Sequence, residues 1–291
     1  MKIGLIGTGL MGLPMATRLI AANVPLVVYN RTVEKLEPLR STGAEIATSV
    51  IDLLQSCQGV MTMLTNADAI REMLLSEEAR PYLNDRTVIQ MGTIAPSQSH
   101  HIQDEIMAAG GTYLEAPVLG SISEVNAGKL QVMVGSTPEQ FDRWLPILQH
   151  FGIPMRIGEV GSASALKLAL NQLIGSLTTA FALSLGFVQA QGVEVETFMQ
   201  ILRKSALYAP TFDKKLQRMV DNNYDHPNFP TKHLLKDMTL FLDEAIALGL
   251  QVDSLAGVRK ILEIACDSGL ADADYSALFA AVKGERMKNE E

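Results

Sequence analysis

The sequence predicts an α/β fold in which a doubly wound, mainly parallel sheet is followed by an all-α C-terminal domain, joined to it by a long buried helix. Short apolar strands alternate with helical segments through the first half of the chain. A turn with three glycines lies between the first strand and the first helix. After Gly161 the alternation stops and helical periodicity continues almost to the end.

Composition limits the classes of function. The chain has 291 residues, of which 47% are hydrophobic and 19% charged, and its formal net charge is −8. That length suits two domains, and an acidic chain without a basic stripe argues against nucleic-acid binding. The sequence predicts no signal peptide and no membrane span, so we expect a cytoplasmic protein. Cys57, Cys266 and the scattered histidines predict neither a disulfide framework nor a metal site.

The sheet is predicted from the alternation in the first half. Strands are expected near residues 2–6, 25–29, 44–47, 59–64, 86–91, 111–115, 129–134 and 155–157, and helices near 10–21, 49–57, 67–75, 97–109 and 138–150. In such a sheet, ligands bind beyond the C-terminal ends of the strands.

The glycine turn has the context of a dinucleotide-binding fingerprint, because Gly7, Gly9 and Gly12 follow a strand and open a helix. The first glycine permits a tight turn, the second lets the backbone approach a pyrophosphate, and the third lets the helix pack on the strand. We therefore predict a Rossmann-type domain whose turn, including Leu10 and Met11, binds a dinucleotide at the helix N-terminus.

The end of the second strand indicates which nicotinamide cofactor is bound. An NAD enzyme usually carries Asp or Glu there, whereas this chain has Asn30, Arg31 and Thr32. A guanidinium binds a 2′-phosphate that a carboxylate would repel. The three residues are predicted to contact NADPH or NADP, with NAD less favoured; the alternative is that Arg31 is a solvated charge.

The second half is predicted to be helical. Residues 163–190 are apolar on every side, which is typical of a buried helix, and a second copy of the chain would cover its remaining face in a homodimer or homotetramer. Further helices are expected near 193–204, 212–221, 232–248, 255–268 and 276–282. The predicted domains are residues 1–162, which bind NAD(P), and residues 163–291, which bind substrate and dimerise.

Two residues on the long helix suggest the chemistry. Lys167 and Asn171 are four residues apart and share a face. Reduction of a carbonyl needs a proton at oxygen, and a lysine in an apolar setting can supply it. Asn171 is expected to donate a hydrogen bond to the same oxygen or to a substrate carboxylate. The alternative is that Lys167 extends to solvent.

A glycine-containing loop is the second candidate substrate site. It follows a strand and runs from Glu115 through Gly120 and Ser121 to Gly128. Backbone N–H groups at Gly120 and Ser121 are placed to hold an anion, although an ordinary loop explains the same spacing.

Together these stretches resemble the β-hydroxyacid dehydrogenase family, which includes 3-hydroxyisobutyrate dehydrogenases, tartronate semialdehyde reductases and plant-type glyoxylate/succinic semialdehyde reductases. The resemblance covers essentially the whole chain, and its motifs are Ile6–Gly12, Met63–Asn66, Gly92–Pro96, Glu115–Gly128, Gly161–Asn171 and Leu235–Asp237. It implies that Lys167 is the catalytic acid/base and that Asn171 positions the substrate. It further implies a nicotinamide contact for Thr93 and Lys236, a cofactor-cleft position for Leu64 and Thr65, and a substrate carboxylate held by Gly120 and Ser121.

The chain departs from the family pattern in its substrate loop. Leu119 stands where the family usually has a serine, which removes a hydrogen-bond donor and makes the pocket more apolar. Gln90 and Gly92 likewise replace the usual Asp and Ser before Thr93. None of these changes removes the residues that would transfer hydride or proton.

The sequence thus predicts an NADPH-preferring oxidoreductase that reduces a small aldehyde or keto acid, of the succinic semialdehyde or glyoxylate type, to the hydroxyacid. The first alternative is an NAD-dependent 3-hydroxyisobutyrate-type dehydrogenase. The alternative of another class is a non-catalytic dinucleotide-binding sensor, to which Leu119 gives some weight.

Overall fold

The chain forms two compact units in a computed structural model that describes residues 1–284. The sheet unit is Met1–Lys167, and the helical unit begins at Leu168. The sequence predicts a domain boundary between residues 162 and 163, which is where the helix Ser162–Ala190 begins. The two compact units divide within the same helix, between Lys167 and Leu168.

The sheet unit contains nine strands within the described residues. They are β1 Ile3–Ile6, β2 Leu26–Tyr29, β3 Glu45–Ile46, β4 Gly59–Thr62, β5 Thr87–Gln90, β6 Thr112–Glu115, β7 Val118–Leu119, β8 Leu130–Gly135 and β9 Gly152–Gly158. The first six pair in parallel in the order β3-β2-β1-β4-β5-β6, which is the Rossmann order. The predicted fold class is confirmed.

Helices cover both faces of this sheet. They are α1 Gly12–Ala21, α2 Val50–Ser56, α3 Ala67–Leu74, α4 Pro96–Ala108, α5 Ile122–Ala127 and α6 Pro138–Leu148. Successive strand residues contribute to opposite cores: Leu5 packs in one cluster with α1 and α6, and Ile6 packs in the other with α2, α3 and α4. Because strand side chains alternate between faces, strands buried on both sides are apolar throughout.

The connection after β6 is more structured than the sequence indicates. The expected loop contains β7, which pairs antiparallel with β8, and the one-and-a-half-turn helix α5. Short 3₁₀ turns at Val33–Leu39 and Arg80–Leu83 were also not predicted.

The long predicted helix is α7, Ser162–Ala190, which starts in the sheet unit and continues into the helical unit. Its most apolar 18-residue window has a mean hydropathy of 1.5 and is 33% buried. By length and composition alone, this helix also satisfies the criteria for a membrane span, as core helices of soluble proteins often do. Large apolar side chains on α7 are therefore exposed in the single chain, including Phe187, which is 67% exposed.

The remaining helices form the helical unit. They are α8 Val195–Arg203, α9 Pro210–Val220, α10 Thr231–Ala247, α11 Asp253–Ala265 and α12 Leu278–Lys283. Their apolar faces surround one core with the second half of α7, in which Phe181 stacks on Phe212 at 4.7 Å between ring centroids. The all-helical character of this part of the chain is confirmed.

Candidate active site

The glycine turn between β1 and α1 has a shape that only glycine permits at two positions. Gly7 has φ of +98°, and a Cβ atom there would collide with the backbone carbonyl of Met63, the residue after β4. A Cβ on Gly12 would collide with the carbonyl of Gly7. The turn therefore packs tightly against both the neighbouring strand end and its own helix.

The space next to Gly9 is open. Among the described residues, no atom lies within 4 Å of a Cβ built on Gly9, and the following Leu10 is 44% exposed. Within residues 1–284, no side chain caps the N-terminus of the ten-residue helix α1. An open approach to free backbone N–H groups at a helix N-terminus fits the pyrophosphate of a dinucleotide.

The turn lies at the point where the strand order reverses. β1 pairs with β2 on one side and with β4 on the other, so the ends of three strands meet beside Gly7. Ligands of doubly wound sheets bind at this switch point, beyond the C-terminal strand ends.

The end of β2 is tied to the glycine turn by Asn30. Its Oδ1 accepts the backbone N–H of Thr8 at 3.0 Å, and its Nδ2 donates to the carbonyl of Thr32 at 2.8 Å. Asn30 and Thr32, both predicted as cofactor contacts, thus also hold the shape of the turn.

Arg31 points away from this network. Its guanidinium forms an ion pair with Glu72 of α3 at 3.2 Å, and the two side chains are 72% and 58% exposed. An exposed pair of this kind is weak and leaves the guanidinium accessible to a stronger anion.

The ends of β4 and β5 bring three more predicted residues to the same sheet edge. Leu64 and Thr65 follow β4, and Thr93 follows β5, whose Gln90 is in register with Thr62. A Cβ on Gly92 would lie only 2.6 Å from the carbonyl of Leu64, so the two connections pack closely. Leu64, Thr65 and Thr93 therefore lie at the edge that carries the glycine turn.

In the substrate loop, the N–H group of Ser121 that was predicted to hold an anion already donates to a carboxylate of the same loop, that of Glu124. The backbone N–H and the hydroxyl of Ser121 both donate to Glu124, at 2.7 and 2.6 Å, and form the capping box of α5. Hydrogen bonds from the Ser121 side chain and backbone lower the pKa of Glu124 to about 2. A substrate carboxylate would compete with Glu124 for these donors. Gly120 has φ of +134°, and Leu119 pairs with Gln131 in β7–β8.

Lys167 lies in the second turn of α7 and is 8% exposed. The alternative in which it extends to solvent therefore does not hold. The helix begins beside the end of β6, where the carboxylate of Glu115 accepts the backbone N–H groups of Ala163 and Ser164 at 2.8 and 3.1 Å. Sequence reasoning did not single out Glu115.

Asn171 lies one turn further along α7, in the helical unit, and is 2% exposed. Its Nδ2 donates to Oδ2 of Asp237 at 2.6 Å, and Oδ1 of Asp237 lies 3.0 Å from the ammonium of Lys236. Asp237 thus orients Asn171 and pairs with Lys236. The Oδ1 atom of Asn171 is buried with no hydrogen-bond partner among the described residues. Such an atom is suited to accept a hydrogen bond from a ligand hydroxyl.

Comparison with known proteins agrees with the fold and with the motifs. Residues 2–161 match the NAD-binding domain of 6-phosphogluconate dehydrogenase, and residues 161–282 match the domain described as NAD-binding of NADP-dependent 3-hydroxyisobutyrate dehydrogenase. Two Arabidopsis thaliana proteins are similar along almost the whole chain. Glyoxylate/succinic semialdehyde reductase 1 is 29% identical over 98% of this chain and 100% of the relative. The chloroplastic reductase 2 is 28% identical over 99% of this chain and 81% of the relative.

A solved structure shows the same fold. The 3-hydroxyisobutyrate dehydrogenase of Salmonella typhimurium superimposes with a TM-score of 0.85 at 22% identity, over 96% of this chain and 98% of that chain.

Proposed function

The chain belongs to the β-hydroxyacid dehydrogenase family of NAD(P)-dependent oxidoreductases, and on this premise we propose that it reduces a small aldehyde or keto acid with NADPH as its preferred cofactor. The observation that carries the proposal is the buried Lys167 on a helix that also carries Asn171, in a chain whose glycine turn has room for a pyrophosphate.

The sheet unit would hold the cofactor. The open side of Gly9 and the N-terminus of α1 suit the pyrophosphate, and Leu64, Thr65 and Thr93 lie along the same edge of the sheet. When bound, the nicotinamide supplies the hydride that reduces the carbonyl carbon. Lys236, in the helical unit, is assigned a cofactor contact through the family motif.

Lys167 would supply the proton. As hydride reaches the carbonyl carbon, negative charge develops on the carbonyl oxygen, and an ammonium beside that oxygen stabilises the charge and then donates its proton. Because Lys167 is nearly excluded from water, its charge is poorly screened, so both effects are stronger than they would be at the surface. In the reverse reaction the neutral amine accepts the hydroxyl proton.

Asn171 would orient the substrate oxygen. One N–H of the Asn171 side-chain amide donates to Asp237. The second N–H is left to donate to a substrate oxygen, and the unpartnered Oδ1 of Asn171 is left to accept from a hydroxyl. The unpartnered Oδ1 supports a proposed acceptor role beside the donor role that the sequence predicts.

The relatives and the loop at Leu119 support the proposed substrate class. Two relatives are named for glyoxylate and succinic semialdehyde, which are small carbonyl acids. Leu119 and the Ser121–Glu124 capping box leave fewer donors in this loop for a carboxylate. We therefore expect a semialdehyde to be preferred over glyoxylate, because its aldehyde and its acid group are further apart.

The NAD-dependent alternative keeps support from one contact. Glu72 neutralises Arg31 and would be close to a 2′-phosphate bound there. The preference for NADPH therefore depends on the 2′-phosphate displacing Glu72 from the guanidinium.

We assign residues 1–162 to cofactor binding and residues 163–291 to substrate binding and dimerisation, in a cytoplasmic homodimer or homotetramer. The exposed apolar side chains of α7 support the oligomer, since a second copy would remove them from water.

The test is NADPH oxidation by the purified protein with a panel of small aldehydes and keto acids, for the native chain and for Lys167→Ala. We expect turnover of succinic semialdehyde and a loss on the order of 1,000-fold in kcat for the variant, because proton donation and charge stabilisation are lost together. The dissociation constant for NADPH is expected to stay within about twofold.

A surface lysine provides the matched control. Lys260, which is 69% exposed in α11, is replaced by alanine and should leave both quantities unchanged. Tight NADPH binding without turnover of any carbonyl would contradict the reductase proposal and favour the non-catalytic sensor. Equal activity of Lys167→Ala would remove Lys167 from the mechanism.

A further inference from the structure

Glu115 is a fully buried carboxylate at the end of β6. Its Oε1 accepts the backbone N–H groups of Ala163 and Ser164 at 2.8 and 3.1 Å. Its Oε2 accepts the hydroxyls of Ser164 and Ser99 at 2.7 and 2.6 Å. Four hydrogen bonds thus converge on one side chain from α4 and from the start of α7.

The charge of Glu115 is stabilised by the N-terminus of a helix. The four donors to Glu115 are two backbone N–H groups and two hydroxyls, and a buried carboxylate without such hydrogen bonds is costly. The N-terminus of α7 offers a positive partial charge and unpaired N–H groups at the point where Glu115 lies. The carboxylate therefore fixes where α7 begins and in which direction it points.

A second layer holds the carboxylate in place. Because the Ser99 hydroxyl donates to Glu115, it is left to accept the hydroxyl of Tyr113, which lies 2.8 Å away. Tyr113 is 1% exposed, and burial raises its pKa far above the usual range, so its proton remains on the oxygen. Tyr113 therefore donates to Ser99, and Ser99 donates to the carboxylate of Glu115.

Lys167 lies one helical turn beyond the residues that Glu115 holds. It follows Ala163 by four positions and Ser164 by three, so all three share a face of α7. The axial rise between Ala163 and Lys167 is about 6 Å. A shift or rotation of the first turn would move the amine of Lys167 directly, and a negative charge held at the first turn of the same buried helix favours the protonated amine.

We propose that Glu115 is the positioning residue of Lys167: it sets the first turn of α7, which aims the amine, and its negative charge keeps that amine protonated for proton donation. This proposal rests on the proposed function, in which Lys167 is the proton donor.

The decisive variant is Glu115→Gln, which keeps the shape and an accepting oxygen but removes the charge. We expect kcat for aldehyde reduction to fall on the order of 10- to 100-fold, while KM for NADPH stays within about twofold. Without the carboxylate, Lys167 loses its proton at lower pH, so the alkaline limb of the kcat profile moves towards acid. A purely structural role would change stability without moving this limb.

Three matched variants separate charge from geometry. Ser164→Ala keeps the charge and should lower kcat less, with no movement of the alkaline limb. Glu115→Asp keeps the charge but shortens the side chain, so it should lower kcat without moving the limb, and a limb that moves in this variant would contradict the role given to the charge. Glu105→Gln removes a carboxylate of α4 that pairs with Arg71 at the surface, and it should change neither quantity.

A readout independent of turnover separates this proposal from the proposed function. The rate at which acetic anhydride acylates Lys167, followed by peptide mass spectrometry across pH, reports the neutral amine. In Glu115→Gln this curve should move to lower pH even if no substrate is found, in which case only the proposed function fails. If neither the pH dependence of Lys167 acylation nor that of kcat changes, Glu115 has only a structural role and the inference is overturned.

Discussion

At the scale of single residues, the choice of cofactor depends on the pair between Arg31 and Glu72. The guanidinium is 72% exposed, so it can turn to a ligand without loss of packing. A 2′-phosphate carries about two negative charges and offers three acceptor oxygens, whereas Glu72 carries one charge. The phosphate should therefore displace the carboxylate.

Two single substitutions test this account of the cofactor. Arg31→Ala should weaken NADPH binding about 10-fold or more and leave NADH almost unchanged, because only NADPH carries the phosphate. Glu72→Gln should strengthen NADPH binding a few-fold, since it removes both a competitor and a repelling charge. Fluorescence titration of both cofactors at low and at high salt measures these changes, which should shrink as salt rises. An equal loss of NADH and NADPH affinity in Arg31→Ala would show that Arg31 does not read the phosphate.

The residues also show what a sequence can predict about a site. Both glycines are predicted by their spacing between a strand and a helix, although the contacts differ: a Cβ on Gly12 would meet Gly7 of the same turn, whereas a Cβ on Gly7 would meet Met63 after β4. Glu115 was not recognisable, because the N–H groups that it accepts lie 48 and 49 residues away. The hydrogen bond from the Ser121 N–H to Glu124 was predictable in principle, since the two residues have the Ser-x-x-Glu spacing of a capping box.

At the scale of elements, the strands and long helices followed from periodicity because each buries an apolar face or is apolar throughout. β7 was not predicted, because it has only two residues and is stabilised by pairing with β8.

The buried ion pair between Lys215 and Asp274 was also not predictable from the sequence. Lys215 of α9 is 6% exposed, and its ammonium lies 2.8 and 2.9 Å from the two carboxylate oxygens of Asp274 and 4.1 Å from the ring centroid of Tyr275.

This pair should stabilise the helical unit, because Asp274 also accepts hydrogen bonds from the backbone and hydroxyl of Ser276. Asp274→Asn leaves the Lys215 ammonium buried without its counter-ion and should lower the free energy of unfolding by about 3–5 kcal/mol. Urea denaturation followed by circular dichroism measures the change. The control is Asp213→Asn, which breaks an exposed pair with Arg203 and should lower the free energy of unfolding much less than Asp274→Asn.

The same pair predicts a pH dependence. Burial alone would raise the pKa of Asp274, but the charge of Lys215 and the hydrogen bonds from Lys215 and Ser276 outweigh it and hold the pKa below 3.8. A depressed pKa stabilises the fold above the unfolded value, and this contribution is lost as pH falls below 3.8 through the folded pKa. Asp274→Asn should therefore lose less stability than the native chain between neutral pH and pH 3. An equal loss in both proteins would contradict this assignment.

At the scale of the whole molecule, the helix α7 carries large apolar side chains that are exposed to water in the single chain. Four of its exposed apolar residues lie within about 120° of the helix circumference at 100° per residue: Leu173, Leu177, Leu183 and Phe187, which are 51%, 39%, 52% and 67% exposed. They extend over about 21 Å of helix. A continuous apolar stripe of this length is costly in water and marks an interaction surface.

We expect a second copy of the chain to cover this stripe, so native protein should run at twice or four times the 31.6 kDa chain mass in size-exclusion chromatography with light scattering. Phe187→Arg should shift the mass towards one chain, because an arginine at an apolar contact is buried without a partner in the oligomer but is solvated in the monomer. Phe187 is already exposed in the single chain, so the variant should keep its circular dichroism spectrum and its fold. The control is Met107→Arg, which changes another exposed apolar residue, 58% exposed on α4, and should leave the mass unchanged. A native protein that stays monomeric at micromolar concentration would overturn the oligomer, and flotation of that monomer with lipid vesicles would assign the stripe on α7 to a membrane surface instead.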